Sequence, residues 1–237
     1  MKEVPDMDMF VACVGTGGTF SGIAKALKEY NFLCESIECD YEIKDSYVYS
    51  VDDREKLENE LNVLQKLGYP CEFKNYLKIP VETVGAVQIK NQAQFNPLKF
   101  ISAISKHLKI YENTFVEHID GTTAITRKGN KIKAKKIIVA THFPFINKYG
   151  SYFLKMYQHR SYVVALENAQ DVDGMYVDEA KKGMSFRNYK NYLLIGGGDH
   201  RTGKDGGNYR ELRTFAKIHY PENHEKYHWA TQDCMSL

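Results

Sequence analysis

The sequence predicts a mixed α/β fold of the α+β kind, rich in sheet, and three observations predict it. Aromatic residues make up 13% of the chain, with seventeen tyrosines against one tryptophan, and aromatic side chains suit the half-buried surface of a strand. Short runs of alternating apolar and polar residues recur through the second half, separated by turn residues. Between them stand a few stretches whose apolar residues recur at helical spacing. With 237 residues, 43% of them hydrophobic, the chain can bury a real core as one large domain or two intimate ones.

In order, Met9 to Val14 reads as a strand, GTGGT (Gly15 to Thr19) as a loop, and the stretch with Ile23, Ala26 and Leu27 on one side as a helix. Tyrosine and valine alternate over Ser46 to Val51 as in a half-buried strand, after which Asp52 or Asp53 can cap a helix. Leu57, Leu61, Leu64 and Leu67 form that helix's stripe, and Gly68 stops it. A short stretch at Cys71 to Phe73 and a strand at Gly85 to Ile89 lead to Asn96-Pro97. That pair reads as an N-cap followed by proline at the first helical position, with Leu98, Ile101, Ile104 and Leu108 at helical spacing behind it.

Strands are expected at Thr114 to Ile119, Thr122 to Arg127 and Lys131 to Lys133, the last two joined by a hairpin turn at Lys128-Gly129-Asn130. KIIVA, Lys136 to Ala140, reads as a buried strand. Four more short strands, Ser161 to Leu166, Met175 to Val177, Ser185 to Tyr189 and Tyr192 to Ile195, read as an antiparallel sheet. Gly206-Gly207 introduces a last helix with Leu212, Phe215 and Ala216. Gly196-Gly197-Gly198 reads as a tight turn. No internal repeat, low-complexity tract or clear linker interrupts the chain.

Composition narrows the function classes. Thirty-two basic against thirty acidic side chains leave a formal charge of +2, spread without long like-charge runs, so nothing demands nucleic acid. No apolar run approaches the roughly 20 residues of a membrane span, and the N-terminus lacks the pattern of a secretory signal. The expectation is a soluble, cytoplasmic protein acting on a small-molecule substrate, with no membrane partner. Five cysteines, an odd number without a C-x-x-C spacing, suggest small buried side chains kept as thiols.

Two stretches resemble known families. FVACVGTGGTFSGIAKALKE, within residues 8–30, is similar to the phosphate-binding segment of the cysteine synthase family. The resemblance implies that Gly15, Gly17, Gly18 and Thr19 grip the 5′-phosphate of pyridoxal phosphate, at a loop where backbone N–H groups and the helix dipole favour an anion. The family's catalytic lysine has no counterpart here: Lys2 is the sole lysine upstream. A tight strand-to-helix turn is the alternative reading of this loop.

From residue 32 to about 233 the chain resembles the FAD-dependent oxidoreductases of the D-amino-acid oxidase and glycine oxidase type. The segments that carry the resemblance are DSYVYSVDD, LGYPCEF, NQAQFNPLKF, KIYENTFVEHI, KIKAKKIIVATHFPF, RSYVVAL, LLIGGGDHRTG and HWATQD, in that order. The resemblance implies a partial Rossmann-like flavin domain, with parts at about 97–145, interleaved with an antiparallel substrate-binding sheet, with parts at about 40–90 and 160–200. It implies FAD as cofactor, the backbone at Val116 beside the adenine, and Ala140 and Thr141 passing close to the flavin nucleotide. Amines or amino acids are the implied substrates.

Gln94, Asn96, Arg160, Tyr162 and His200 lie near the expected substrate sheet, where an arginine fork can clamp a carboxylate. Asn96 doubles as a helix N-cap and stands where relatives carry histidine, and Arg160 can also be read as a strand-edge residue. Complete members of the family open on a G-x-G-x-x-G unit and continue past the Q-D segment. Neither feature is found here, so an incomplete or fused chain with weak or absent flavin affinity is expected, with a non-catalytic remnant as the alternative. HEKYH, His224 to His228, matches the zinc-protease pattern H-E-x-x-H. Its flanks suit a strand, where residues four apart lie roughly 13 Å from each other, so no metal site is expected.

Overall fold

The computed structural model describes residues 36–106, 108–141, 145, 150–180 and 182–236. The glycine loop read at Gly15 to Thr19 lies outside the described residues. In chain order the elements are β1 (Glu42–Ser50), α1 (Arg54–Lys66), β2 (Cys71–Lys74), β3 (Gly85–Gln94), α2 (Pro97–Ser105), β4 (Val116–Asp120), β5 (Thr123–Thr126) and β6 (Lys131–Lys133). There follow α3 (Tyr152–Lys155), β7 (Met156–Glu167), β8 (Met175–Asp178), β9 (Ser185–Tyr189), β10 (Tyr192–Arg201), α4 (Asn208–His219) and β11 (His224–Ser236).

Local chemistry sets the helix starts. The Asp53 carboxylate accepts from the Lys56 amide at the head of α1. Asn96 accepts from the amides of Leu98 and Lys99 at the head of α2, with Pro97 at the first helical position. Both caps occupy amides that the helix itself leaves without a partner.

Eight strands form one sheet in the order β11-β7-β10-β9-β8-β1-β3-β2, and β4-β5-β6 form a separate three-stranded sheet. The four strands read as an antiparallel sheet, β7 to β10, do pair antiparallel, while the large sheet as a whole is mixed because β1 and β8 run parallel. These two strands are far apart in sequence and joined by a long crossover, which permits the same direction.

Alternation divides the large sheet into two faces. Tyr49, Ala86, Val164, Leu166, Tyr176, Phe186, Leu193 and Ile195 gather on one face, where Leu212 and Ala216 of α4 seal them. Their neighbours Val48, Val87 and Ile89 point to the other face, and there α1 covers them with Leu57 and Leu64.

The glycine run Gly196-Gly197-Gly198 is not a turn. It lies inside β10, where the register against β7 slips between Gly197 and His200, so the strand carries a bulge. Gly198 holds φ +67°, and a Cβ there would sit 2.5 Å from the Asn208 carbonyl oxygen. The glycine thus lets the first residue of α4 seat against the bulged strand.

KIIVA is a second correction. Residues 134–141 form no strand, and Ile138 is 86% exposed. A strand needs a neighbour to receive its N–H and C=O groups, and neither sheet of the described residues sets a strand beside Lys136 to Ala140. Val116, paired with Thr126 at the start of β4, belongs to the small sheet, while Ala140 and Thr141 stand in exposed chain beyond it.

Candidate functional site on the open face of the sheet

Beyond the cover of α1, no helix of the described residues packs on the second face of the sheet from β8 to β11. Register places Met175 beside Arg187, Arg187 beside Leu194, and Val163 beside Trp229 on this face. Val177, Tyr227 and Trp229 are each about two-fifths or more exposed there. Exposed apolar side chains grouped on one face of a folded chain mark a binding surface.

Arg187 stands near its middle. Phe186 and Asn188, its neighbours in β9, turn into the core with 1% and 3% exposure, so alternation sends Arg187 to the open side. Its surface is exposed, yet enough protein surrounds the guanidinium for desolvation to pull its pKa down. No carboxylate pairs with it among the ion pairs of the described residues. A charged fork left for an outside anion is what the arrangement offers.

A polar group borders the same face where β7, β10 and β11 run side by side. His159 pairs across with Asp233, and the Ser161 hydroxyl donates to Asp233 at 3.5 Å. Asp199, carried by the bulge of β10, has its Oδ1 buried without a hydrogen-bond partner. Burial raises its pKa above the ordinary carboxylate range, opposed by the Ser161 hydroxyl.

A raised folded-state pKa means that ionisation costs stability as pH climbs from the unfolded value through the folded one. We therefore expect Asp199→Asn to melt higher than the parent at pH 7, with the difference closing as pH falls to about 3.8, the ordinary aspartate value. Paired thermal melts at the two pH values check this, and a gap that persists in acid would contradict it.

The five residues singled out in the sequence fall into two groups. Arg160, Tyr162 and His200 come together: Arg160 and His200 are cross-strand partners, and the Tyr162 hydroxyl meets His200 Nε2 at 2.9 Å. They share the face of Val164 and Leu166, however, and Tyr209 of α4 packs edge-on against Tyr162 at 4.7 Å. They therefore lie on the α4 side of the sheet, away from Arg187.

Gln94 and Asn96 form the second group, at the junction of β3 and α2. Gln94 donates to the Asn188 carbonyl oxygen at 2.8 Å, and Asn96 donates to the Tyr189 hydroxyl at 2.9 Å. HEKYH runs along β11, and its Glu225 is gripped by Arg213 through two bonds of 2.7 Å. Sequence reading passed over Arg187, Ser161, Asp199 and Asp233. The signal for Arg187 was present: a lone arginine between two inward-facing residues of a central strand.

No protein-family model matches the chain. A Bacillus subtilis (strain 168) protein named as a Rieske 2Fe-2S iron-sulfur protein, YhfW, is 30% identical over 219 residues, 85% of this chain and 43% of that relative. The chain thus spans less than half the length of that protein. Glycine oxidase from Geobacillus kaustophilus superposes with a TM-score of 0.68 at 16% identity, over 92% of this chain and 65% of its own. L-α-glycerophosphate oxidase from Mycoplasma pneumoniae, with FAD bound, superposes with a TM-score of 0.63 at 15% identity, over 92% and 68%.

The resemblance of residues 8–30 to cysteine synthases gains no support from these matches. The large mixed sheet with its small antiparallel companion is the fold that this chain shares with the glycine oxidase and the FAD-bound glycerophosphate oxidase.

Proposed function

We propose that this chain carries the substrate side of an FAD-dependent oxidoreductase acting on amines or amino acids. The observation that carries the reading is the open face with Arg187 at its centre, in a fold shared with glycine oxidase and with an oxidase that has FAD bound. An apolar face suits a planar ring system, and an arginine without an ion-pair partner among the described residues suits a carboxylate; this donor set fits the ring and substrate side of a flavin site. Bound there, the flavin would supply the capacity to take a hydride from a C–N bond.

The chain's own residues do the rest. Arg187 holds the substrate carboxylate and so fixes which bond faces the ring. Val163, Leu194 and Trp229 displace water from the reacting side. The fit is poorer on the nucleotide side: Ala140 and Thr141 lie in exposed chain, and Val116 belongs to the small sheet. On this ground we propose weak FAD binding, so that cofactor must be added in excess.

A ligand that binds the folded state alone stabilises it by about 2.7 kcal/mol at a hundredfold excess over Kd. For a domain of this size that is a rise in Tm of about 5–10 °C. Melting the purified protein with and without excess FAD tests the reading, and an unchanged Tm at every flavin concentration would overturn it.

The iron-sulfur part of the Bacillus relative's name is not carried over. A Rieske centre takes two cysteines and two histidines. Among the described residues no three of His, Cys, Asp or Glu are grouped to hold a metal.

A further inference from the structure

We propose that Gln94 and Asn96 are positioning residues for Arg187, acting through the end of β9 and not by touching substrate; the inference rests on the reading of Arg187 as the carboxylate anchor. β9 is short, five residues from Ser185 to Tyr189, and β8 pairs with it only as far as Arg187. Past that point the β8 side of the strand has lost its ladder partner, and the junction of β3 and α2 supplies the missing contacts. Gln94 Nε2 donates to the Asn188 carbonyl oxygen at 2.8 Å and to Glu42 at 2.8 Å.

Asn96 uses both ends of its amide. Its oxygen caps α2 by accepting from Leu98 and Lys99, while its nitrogen donates to the Tyr189 hydroxyl at 2.9 Å. Tyr189 in turn donates to Asp40, which Lys99 holds at 2.7 Å. The Asn188 side chain is itself fixed, accepting from the Val172 amide at 2.9 Å and donating to the Gln170 carbonyl at 3.3 Å.

Arg187 and Tyr189 stand two residues apart on one strand and so share the open face. The two residues following Arg187 are therefore held at a backbone carbonyl, a buried amide and a phenol, all from outside the strand. A long arginine on a strand end that moved would lose its aim, since bidentate recognition tolerates little displacement. Gln94 is 5% exposed, buried too deeply to meet a substrate, yet bonded directly to the strand that would.

Asn96→Ser and Tyr189→Phe separate this role from a structural one. Serine caps a helix about as well as asparagine but is too short to reach Tyr189. Benzoate serves as the probe, a carboxylate on a flat ring, with its affinity measured on the FAD-supplemented full chain. We expect each variant to bind benzoate 5- to 10-fold more weakly with FAD affinity and Tm held, and the double variant to be no worse than either single.

Unchanged benzoate affinity in both variants, where Arg187→Met does weaken it, would overturn the positioning role alone. Parallel losses of Tm, FAD affinity and benzoate affinity would also overturn it, since they mark a merely structural contact. Arg187→Met leaving benzoate affinity unchanged would overturn the reading of the site, and the positioning role with it.

Discussion

Gly198→Ala is expected to be among the most destabilising single-methyl additions to this chain. Gly198 holds φ +67°, and its new Cβ would stand 2.5 Å, 2.8 Å and 3.0 Å from the backbone O, N and C atoms of Asn208. Backbone atoms at the head of a helix do not move aside as a flexible side chain would. Strain at a left-handed position costs roughly 1–3 kcal/mol and overpacking a similar amount, so about 3 kcal/mol is expected.

That loss corresponds to a fall in Tm of about 6–12 °C. Gly203→Ala is the control, because Gly203 also holds a positive φ, +82°, but has nothing within 4 Å of the added atom. Its cost should stay near 1 kcal/mol, the conformational part alone. Equal losses for the two variants would show that α4 does not seat on the bulge as described.

Arg187→Met is expected to have the largest functional effect. It keeps the length of the side chain and removes the charge, at a position where strand alternation turns the side chain to the open side and away from the core. Hydrogen bonds to a charged group contribute about 1.5–3 kcal/mol, so carboxylate binding should weaken roughly 10- to 150-fold, at 1.4 kcal/mol for each factor of ten. Arg187→Lys should recover only part of this, because an ammonium is a point charge without the planar fork. Stability should be unmoved in both variants, and isothermal titration with benzoate beside a thermal melt checks the two statements together.

Much of the fold was legible in the sequence, for identifiable reasons. Asn96-Pro97 announced α2 because an amide cap and a proline suit the same two positions. β6 and β9 begin and end where the alternation begins and ends, at Lys131–Lys133 and Ser185–Tyr189. Bulges were not legible. β3 runs on to Gln94, past the Ile89 at which the pattern breaks, because its register against β1 shifts around Asp45. β10 continues through three glycines that read as a turn in isolation.

KIIVA misled for the opposite reason: an apolar run signals burial, but only a neighbouring strand makes it a strand. At the site, Arg160, Tyr162 and His200 were read only as polar groups near the substrate sheet, and the face they take was not legible. Their alternation with Val164 and Leu166 fixes them to the core side, while the side left open depends on where α4 packs. That is a tertiary fact, carried by Leu212 and Ala216 some fifty residues later.

The most direct test of the account uses the single tryptophan of the chain. Trp229 is 39% exposed on the open face, so a flavin ring seated there would quench its emission. Titrating the purified protein with FAD should give a saturable loss of Trp229 emission whose midpoint matches the rise in Tm, and Arg187→Met should leave that midpoint in place. Emission that never saturates, at flavin concentrations where free tryptophan is dimmed equally, would contradict the claim that this face meets the cofactor.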